Sequence, residues 1–236
     1  MKLYAGASGY SYKEWKGWFY PEKIAPSEML RFYAERLPAV EINNTFYRLP
    51  KASVLSSWAE QVPEDFRFAL KASRRITHLK RLKAAESETE YLLRTASVLK
   101  ERLGVILFQM PPYLKKDASR LEAFLNILPE GTPAAFEFRN DTWYDDEIKG
   151  LLRARDCALC ITDGAGVGDT ELIETARWGY IRMRKEDYSD EELAAWRNAV
   201  RGTGWEALFI FFKHEDDGAG PILAARFLEA APAGEG

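Results

Sequence analysis

Eight short apolar runs, most of them separated by amphipathic helical patterns, predict that this chain is an α/β protein that folds as a single (β/α)8 TIM barrel. Strands that are apolar on both sides and are followed by helices are typical of a parallel sheet covered on both faces. The 236 residues fit one barrel, because barrels of roughly 200–250 residues commonly fold as single units. We expect the barrel to occupy residues 1–229 and the Ala/Pro/Gly-rich end, 230–236, to form a flexible tail.

The strand predictions rest on β-branched and aromatic runs that alternate with turn-forming residues. The eight predicted strands span residues 2–8, 39–46, 67–73, 104–110, 134–139, 157–163, 178–184 and 207–214. An open, doubly wound sheet is the main competitor. It is disfavoured because the first strand–helix junction, 6–15, is long and lacks the GxGxxG fingerprint. No motif for an organic cofactor is found.

The helices between the strands are predicted by capping residues as well as by apolar periodicity. The capping residues are Ser87 with Glu90, Asp117, and Ser189 with Glu192. Between the sixth and seventh strands, the segment 164–177 accommodates at most a short helix.

The charge balance argues against a protein that coats nucleic acid without sequence preference. The chain has 33 Lys and Arg against 36 Asp and Glu, a net charge of −3. Non-specific binding relies on a basic surface that neutralises phosphates, and this chain has no overall surplus of positive charge. The best local basic patch is the run 74–83, RRITHLKRLK, although such a run is more often only a solvated face.

The sequence predicts a cytoplasmic protein that does not associate with membranes. Its N-terminus lacks an apolar signal-peptide core, and no window approaches the ~20 apolar residues of a membrane span. The two cysteines, Cys157 and Cys160, match CxxC but fall within a predicted strand. Residues i and i+3 of a strand face opposite ways, so we expect core cysteines rather than a disulfide or a metal site.

Polar residues gather at the C-terminal ends of the predicted strands, whereas the N-terminal halves are mostly apolar. In chain order they are Ser8, Glu41, Asn43, Lys71, Gln109, Glu137, Arg139, Asp163, Arg182, Arg184, Lys213 and His214. A charge inside a barrel core is costly unless it is paired or hydrated. Polarity gathered at one end therefore predicts a wet mouth, where active sites of this architecture lie.

The stretch AAFEFR at 134–139 shows this pattern within one strand. Residues i and i+2 of a strand point to the same side. Glu137 and Arg139 therefore share one face, while Phe136 and Phe138 share the other and are expected to pack outward beneath the helices.

Pairing within the barrel is the alternative to a ligand site. Glu137 could pair with Arg182, or Asp163 with Lys213, and plug the top of the barrel without doing chemistry. We favour a ligand site, because polar groups drawn from all eight strands exceed what a plug requires.

The loops after the first two strands contribute aromatic residues near the same end: Tyr12, Trp15, Trp18, Tyr20 and Tyr47. Base or sugar stacking is one interpretation. A packed clamp over the barrel is the other, which we favour for Trp15 and Trp18.

Five segments carry motifs that occur together in one known family. They are GASGYSYKEWKGWFYP at 6–21, VEINNTFYRLP at 40–50, FRFALKASRRITH at 66–78, LFQMPP at 107–112 and FEFRNDTW at 136–143. Through them the chain resembles the domain-of-unknown-function 72 family, the YecE-like proteins, over nearly its whole length. The resemblance implies a TIM barrel with a conserved pocket, but it implies no reaction, because none is established for the family.

The resemblance also marks individual positions. These are Glu41, Asn43, Tyr47, Lys71, His78, Gln109, Glu137, Arg139 and Trp143. Two segments depart from the family pattern: 182–185 reads RMRK where many members have Arg-x-His-Gly, and 211–221 reads FFKHEDDGAGP where many have Phe-Asn-Asn-Asp. If those His and Asn groups take part in the family's chemistry, this protein has a narrower or different activity.

The first functional hypothesis is an enzyme, a hydrolase or an isomerase or lyase, acting by acid/base chemistry on a small anionic or sugar-like substrate. The expected catalytic residues are Glu137, Glu41, Lys71 and Asp163, with a glutamate as general acid or base. The expected ligand-binding residues are Arg139, Asn43, Tyr47, Gln109, Arg182, Lys213, His78 and Tyr12, among which arginines suit phosphate or carboxylate. Two carboxylates from different strands also admit glycoside hydrolysis.

Two other hypotheses stand beside the enzyme. The chain could bind nucleic acid or cleave phosphodiesters with the basic and aromatic groups of the same loops. It could also be a non-catalytic ligand-binding protein, which nothing in the sequence excludes. The sequence does not determine the oligomeric state.

The residue types at the mouth limit the metals that would fit there. His78 and His214 are the only histidines in the sequence, which disfavours a multinuclear zinc site. A Mg²⁺ site built from Glu41, Glu137 and Asp163 suits a hard cation, although the adjacent Lys and Arg residues oppose it.

Overall fold

The computed structural model of the chain describes residues 1–163, 171–213 and 218–230. Three sequence predictions concern residues outside these ranges: the role of His214, the segment between the sixth and seventh strands over 164–170, and the tail over 231–236.

Eight parallel strands form a nearly closed barrel, which confirms the predicted TIM-barrel fold. They are β1 (Lys2–Ala7), β2 (Ala39–Ile42), β3 (Arg67–Lys71), β4 (Leu103–Gln109), β5 (Ala134–Glu137), β6 (Ala158–Thr162), β7 (Trp178–Met183) and β8 (Ala207–Phe212). Strands adjacent in the chain pair in parallel from β2 to β8, and β8 pairs with β1. Each strand ends one to four residues earlier than predicted. Ser8, Asp163 and Lys213, which follow β1, β6 and β8, still donate backbone hydrogen bonds to the neighbouring strand.

Helices follow the strands on the outside of the barrel. In the described ranges they are α1 (Met29–Ala34), α2 (Ala52–Glu60), α3 (Glu86–Ala96), α4 (Ala118–Ile127), α5 (Asp146–Arg153), α6 (Asp190–Arg201) and α7 (Ala219–Glu229). The described part of the β6–β7 connection, 171–177, contains no helix. None of the described helices is long and apolar enough to cross a membrane.

Two of the three predicted helix caps are confirmed. The Ser189 hydroxyl accepts a hydrogen bond from the Glu192 amide at 3.2 Å, and the Glu192 carboxylate accepts one from the Ser189 amide at 2.9 Å. Asp117 caps α4 through its carboxylate. The prediction for Ser87 is wrong, because α3 begins at Glu86 and Ser87 lies inside its first turn. Acidic side chains in the first turn favour this start through the helix dipole.

The barrel interior is filled by side chains. Its cluster contains Ala39, Ala69, Val105, Leu107, Ala135, Ala158, Cys160, Tyr180, Phe209 and Phe211. The small alanines leave room for the rings of Tyr180, Phe209 and Phe211, so the interior reaches the close packing of a protein core. The polar groups described below lie on top of this layer.

Alternation along the strands accounts for which side chains face the helices. Phe136 and Phe138 are buried in a helix-facing cluster, as predicted. Cys157 belongs to the same cluster, whereas Cys160 lies in the barrel interior, and both are free thiols. The prediction of core cysteines on opposite faces is therefore confirmed.

The barrel closes between β1 and β2 through a side chain. Both strands are fully described, and no backbone ladder joins them. The hydroxyl of Tyr33, from α1, accepts a hydrogen bond from the Ala7 amide at 2.7 Å and donates one to the Ala39 carbonyl at 2.9 Å. A Cβ added at Gly6 would lie 1.9 Å from the same carbonyl. Glycine at this position therefore permits the close approach that Tyr33 bridges.

We expect Tyr33→Phe to lower the free energy of unfolding by about 2 kcal/mol or more. The substitution leaves a buried amide and a buried carbonyl without their partner, and each such loss costs about 1–3 kcal/mol. Urea denaturation measures the change. Tyr91→Phe, at a half-exposed position on α3, is the matched control. A Tyr33→Phe effect no larger than the Tyr91→Phe effect would contradict the bridging role.

Candidate functional site

A buried arginine lies between two buried glutamates at the top of the barrel interior. Arg182, in β7, donates from Nη2 to Glu41 Oε1 and from Nη1 to Glu137 Oε2, both at 2.8 Å. The three side chains are at most 3% exposed. Breaking such a buried pair is strongly destabilising, because the remaining charge has no partner. The pairing of Glu137 with Arg182, considered above as the alternative to a ligand site, is present.

Hydrogen bonds occupy both carboxylate oxygens of Glu41. Oε1 accepts from Ser8 Oγ at 2.8 Å and from Asn43 Nδ2 at 3.2 Å, and Oε2 accepts from the Tyr180 hydroxyl at 2.6 Å. Burial by itself raises the pKa of Glu41. The charge of Arg182 and these hydrogen bonds outweigh burial and hold the pKa below its ordinary value.

Glu137 is bound by three cations and an amide. Besides Arg182, its carboxylate accepts from Gln109 Nε2 at 2.7 Å, Arg139 Nε at 3.0 Å and Arg184 Nη2 at 2.5 Å. Burial raises the pKa of Glu137, but the three guanidinium charges lower it far more, so the net pKa lies well below the ordinary value. Glu137 therefore stays ionised at neutral pH, and its basicity is low.

Asp163 does not pair with Lys213, contrary to the second pairing considered above. Its carboxylate accepts hydrogen bonds from the Tyr188 hydroxyl and from the Arg184 amide. Lys213 is exposed at the end of β8. Asp163 thus positions the backbone that follows β7, next to the guanidinium that binds Glu137.

Two arginines form the rim of a pocket beside Glu137. The pocket has a volume of about 270 Å³, and Arg139 and Arg184 line it together with Pro112 and Tyr144. Arg139 is bonded to Glu137 through Nε, and its side chain is 39% exposed. Arg184 is 19% exposed, and its Nε is buried without a hydrogen-bond partner among the described residues. Both guanidinium groups are therefore anchored from below and keep N–H groups for a ligand.

Lys71 lies at the same end of the barrel but outside these ion pairs. It is the last residue of β3, and its ammonium nitrogen is 4.6 Å from the centre of the Phe46 ring. None of the ion pairs among the described residues includes Lys71. Burial lowers the pKa of Lys71 to about 8, and the Arg182 charge lowers it as well, while Glu41 and Glu137 oppose the shift.

His78 stands next to Lys71 across the same aromatic ring. It lies in a π-helical turn, Arg75–Leu79, a rare conformation that often occurs at functional sites. Its ring meets Phe46 edge to face with the centres 4.8 Å apart. Burial and the charges of Lys71 and Arg139 lower the pKa of His78. His78 is therefore mainly neutral at pH 7 and can accept a proton.

The remaining predicted site residues lie outside the buried network. Tyr12 donates to the Ser8 carbonyl at 3.0 Å and lines a second pocket of about 290 Å³ with Asn43. Tyr47 is 71% exposed at the edge of the mouth. Of the two tryptophans expected to clamp the barrel, Trp15 is buried in the core but Trp18 is 76% exposed. The clamp prediction is therefore wrong for Trp18, whose loop position faces solvent.

Besides Ser8, which the sequence placed at the mouth without a role, three residues of the site were not among the expected catalytic and ligand-binding residues. They are Tyr180, which binds Glu41, Arg184, which binds Glu137, and Tyr188, which binds Asp163. Tyr180, Arg182 and Arg184 are spaced two residues apart. Alternation along the strand therefore predicts that Tyr180 and Arg184 point to the same side as Arg182. Tyr188 lies in the loop after β7, and no local pattern indicates its partner.

The described residues do not form a metal site of the predicted kind. Within residues 1–163, 171–213 and 218–230, no three His, Cys, Asp or Glu side chains come together as metal ligands. The carboxylates proposed for Mg²⁺ are separately engaged, Glu41 and Glu137 by arginines and Asp163 by Tyr188 and the backbone. The positive charges around them oppose a cation.

An eight-stranded α/β barrel with a charged network at the C-terminal ends of its strands belongs to the TIM-barrel class. The family model described as "Protein of unknown function DUF72" matches residues 4–235. The chain belongs to the DUF72 family, which confirms the resemblance read from its motifs.

Relatives in sequence carry names without an activity. The chain is 22% identical to UPF0759 protein YunF of Bacillus subtilis (strain 168) over 207 residues, which cover 83% of this chain and 73% of YunF. It is 32% identical to UPF0759 protein YecE of Escherichia coli (strain K12) over 116 residues, which cover 49% of this chain and 43% of YecE.

Solved structures share the barrel. A DUF72 family protein from Thermotoga maritima MSB8 matches with a TM-score of 0.81 and 28% identity, over 97% of this chain and 98% of that one. A DUF72 family protein from Enterococcus faecalis V583 matches with a TM-score of 0.81 and 18% identity, over 97% and 94% of the two chains. The second likeness shows the fold alone.

We expect Glu137→Gln to lower the free energy of unfolding at pH 7 by about 3 kcal/mol, because it leaves Arg182 partly unpaired in a buried site. The folded-state pKa of Glu137 lies below its unfolded value of 4.5. The stabilisation is therefore complete above pH 4.5 and is lost as the pH falls through that value towards the folded pKa.

Denaturation of the wild type and of Glu137→Gln at several pH values tests this expectation. The gap between them should narrow progressively below pH 4.5. Glu130→Gln, at an exposed position, is the matched control. A gap that stays constant into acid would show that the ionised carboxylate is not what stabilises the wild type.

Proposed function

We propose that this protein is an enzyme that binds a small anionic substrate at the barrel mouth and transforms it by acid/base chemistry, as a hydrolase or as an isomerase or lyase. The observation that carries the proposal is the pair Arg139 and Arg184, which line a pocket while Glu137 anchors them from below. Anchored guanidinium groups lose little side-chain entropy on binding and bond carboxylate or phosphate in a bidentate manner.

The charge of the site supports an anionic ligand. Its cationic side chains are Lys71, Arg139, Arg182 and Arg184, and its carboxylates are Glu41, Glu137 and Asp163. Four cations against three carboxylates leave one positive charge in excess. The carboxylates and Arg182 are the buried members, whereas Arg139 and Arg184 face the pocket, so the excess lies where a ligand enters.

Lys71 is the best supported general base, in place of the glutamates. Glu41 and Glu137 are ionised, nearly inaccessible and saturated with donors, so neither can deliver or accept a proton readily. With a pKa of about 8, roughly a tenth of Lys71 is uncharged at pH 7. His78, whose pKa is lowered, supplies a second acceptor beside it.

The same geometry disfavours glycoside hydrolysis by Glu41 and Glu137. That reaction needs two carboxyl groups on either side of a sugar, one of them protonated. Here the guanidinium of Arg182 fills the space between the two groups and holds both pKa values low. A substrate with carboxylate or phosphate is therefore favoured over a neutral sugar.

Nucleic-acid binding is the second candidate, and exposed tyrosines at the mouth favour it. Tyr47 is 71% exposed and Tyr113 is 64% exposed. The Tyr113 hydroxyl lies 3.5 Å from the carbonyl of His78, within the basic run 74–83. Aromatic rings beside basic residues can stack bases and contact phosphates.

A location in the cytoplasm remains a prediction. The buried free thiols of Cys157 and Cys160 are compatible with a reducing compartment.

The anion site predicts that Arg139→Gln weakens binding of pyruvate and of inorganic phosphate by about tenfold or more, since each charge-assisted hydrogen bond contributes about 1.5–3 kcal/mol. Isothermal titration calorimetry at low ionic strength measures the affinities. Arg94→Gln, at an exposed position on α3, is the control and should bind as the wild type does. Equal affinities for Arg139→Gln and the wild type would refute the site.

The nucleic-acid candidate predicts salt-dependent binding of short single- and double-stranded oligonucleotides, because phosphate contacts release counterions. Fluorescence anisotropy at two salt concentrations measures it, and the double variant Arg74→Gln with Arg75→Gln should weaken it. The Arg94→Gln variant again serves as the control. Binding that is undetectable or insensitive to salt would eliminate this candidate.

A further inference from the structure

We infer that Lys71 is a nucleophile that forms an imine with a carbonyl group of the substrate. The substrate class is then an aldehyde or ketone that also carries a carboxylate or phosphate, such as an α-keto acid or a phosphorylated ketone. This inference deepens the proposed function and rests on it, because the anion would be held by Arg139 and Arg184.

The position of Lys71 supports nucleophilic attack. It ends β3 on the inward face, two residues after Ala69 of the interior cluster, so its side chain reaches the mouth from inside the barrel. Charged side chains that lose hydration are usually paired, yet no described ion pair contains Lys71. Its nitrogen instead lies over the Phe46 ring, which cannot accept a proton from the ammonium group.

The surroundings of Lys71 keep a fraction of its amine uncharged. Arg182 and Arg139 both oppose the positive charge of Lys71, and burial removes part of its hydration. Desolvation together with nearby cations is the established way in which proteins activate a lysine for imine formation. The resulting pKa of about 8 leaves roughly three hundred times more free amine at pH 7 than the ordinary value of 10.5 does.

The anionic group and the carbonyl group of the substrate would contact different side chains of the barrel mouth. The charge of Arg139 affects the pKa of both Lys71 and His78, so the three side chains share one electrostatic environment. Lys71 ends β3 at the same C-terminal end of the barrel as Arg139 and Arg184, so we place the anion on the two arginines and the carbonyl on Lys71. His78 contacts the same Phe46 ring as Lys71 and would relay protons.

The covalent step balances without an oxidant or a metal. The free amine of Lys71 attacks the carbonyl carbon, a C–N bond forms, and the carbonyl electron pair moves to oxygen, which takes up a proton. The nitrogen loses a proton to His78 or water, giving a carbinolamine. Its hydroxyl then takes up a proton and leaves as water while the nitrogen lone pair forms the C=N bond. The protonated imine draws electrons from the adjacent carbon, which eases loss of a proton or cleavage of a bond there.

Trapping with sodium borohydride tests the imine, because the reagent delivers a hydride to the imine carbon and leaves a stable secondary amine. We would incubate the full-length protein with pyruvate or dihydroxyacetone phosphate, reduce it, and map the label by mass spectrometry after trypsin digestion. An alkylated Lys71 resists trypsin, so the label appears in the peptide FALKASR, 68–74. Lactate, which lacks a ketone or aldehyde, and acetone, which lacks an anionic group, are the control compounds.

We expect Lys71 to be labelled at least about tenfold more than any other lysine, with a rate that rises with a midpoint near pH 8. Lys71→Arg should lose the label, and Lys2→Arg, at the other end of the barrel, should keep it. Arg139→Gln should reduce labelling by pyruvate but not by acetone. Site mapping in the wild type provides the decisive result even if the Lys71→Arg variant fails to fold.

The outcomes separate the inference from the function beneath it. If pyruvate or the phosphorylated ketone binds in an Arg139-dependent manner but labels Lys71 no more than other lysines, the imine is refuted and the anion site stands. If acetone labels Lys71 as well as pyruvate does and Arg139→Gln has no effect, the assigned substrate class is refuted. If neither binding nor labelling occurs, both the inference and the proposed function are refuted.

Discussion

The contact on which the rest of the site depends is the guanidinium of Arg182 between Glu41 and Glu137. Each carboxylate by itself would be expensive in a barrel interior, and so would the arginine. Together they form two ion pairs, both at 2.8 Å, that connect β2, β5 and β7 across the barrel. This arrangement places ionised groups above an apolar layer without leaving any of them unpaired.

The group formed by Arg182, Glu41 and Glu137 carries one net negative charge, and this charge determines which side chains bind around it. One arginine between two glutamates leaves one negative charge, and Arg139 and Arg184 are bound to Glu137 from the side that faces solvent. Buried carboxylates thus serve as an anchor that presents cations to the pocket. The glutamates, which resemble acid/base residues in sequence, position other groups, and the titratable lysine stands apart from them.

Barrel closure and the site are linked through the same two strands. Tyr33 bridges β1 to β2 just below the point where Ser8 and Glu41 form a hydrogen bond at 2.8 Å. β1 and β2, which share no backbone ladder, are therefore connected by side chains at two levels. One connection lies in the wall of the barrel and the other lies at the mouth. The absence of a Cβ at Gly6 is what brings the backbones close enough for both.

Local periodicity alone was sufficient to predict the eight strands, the outward Phe136 and the shared face of Glu137 and Arg139, because alternation along a strand needs no partner. Periodicity does not predict which charged side chains pair with one another. Arg182 reaches Glu41 across 141 residues of sequence, and Lys71 has no carboxylate although several lie nearby. The stagger and radius of the closed barrel decide which charges touch, and those distances set every pKa in the site. The sequence by itself therefore determined the barrel and the location of its polar mouth, while only the tertiary structure decided which charged groups pair with one another and which lie outside the ion pairs.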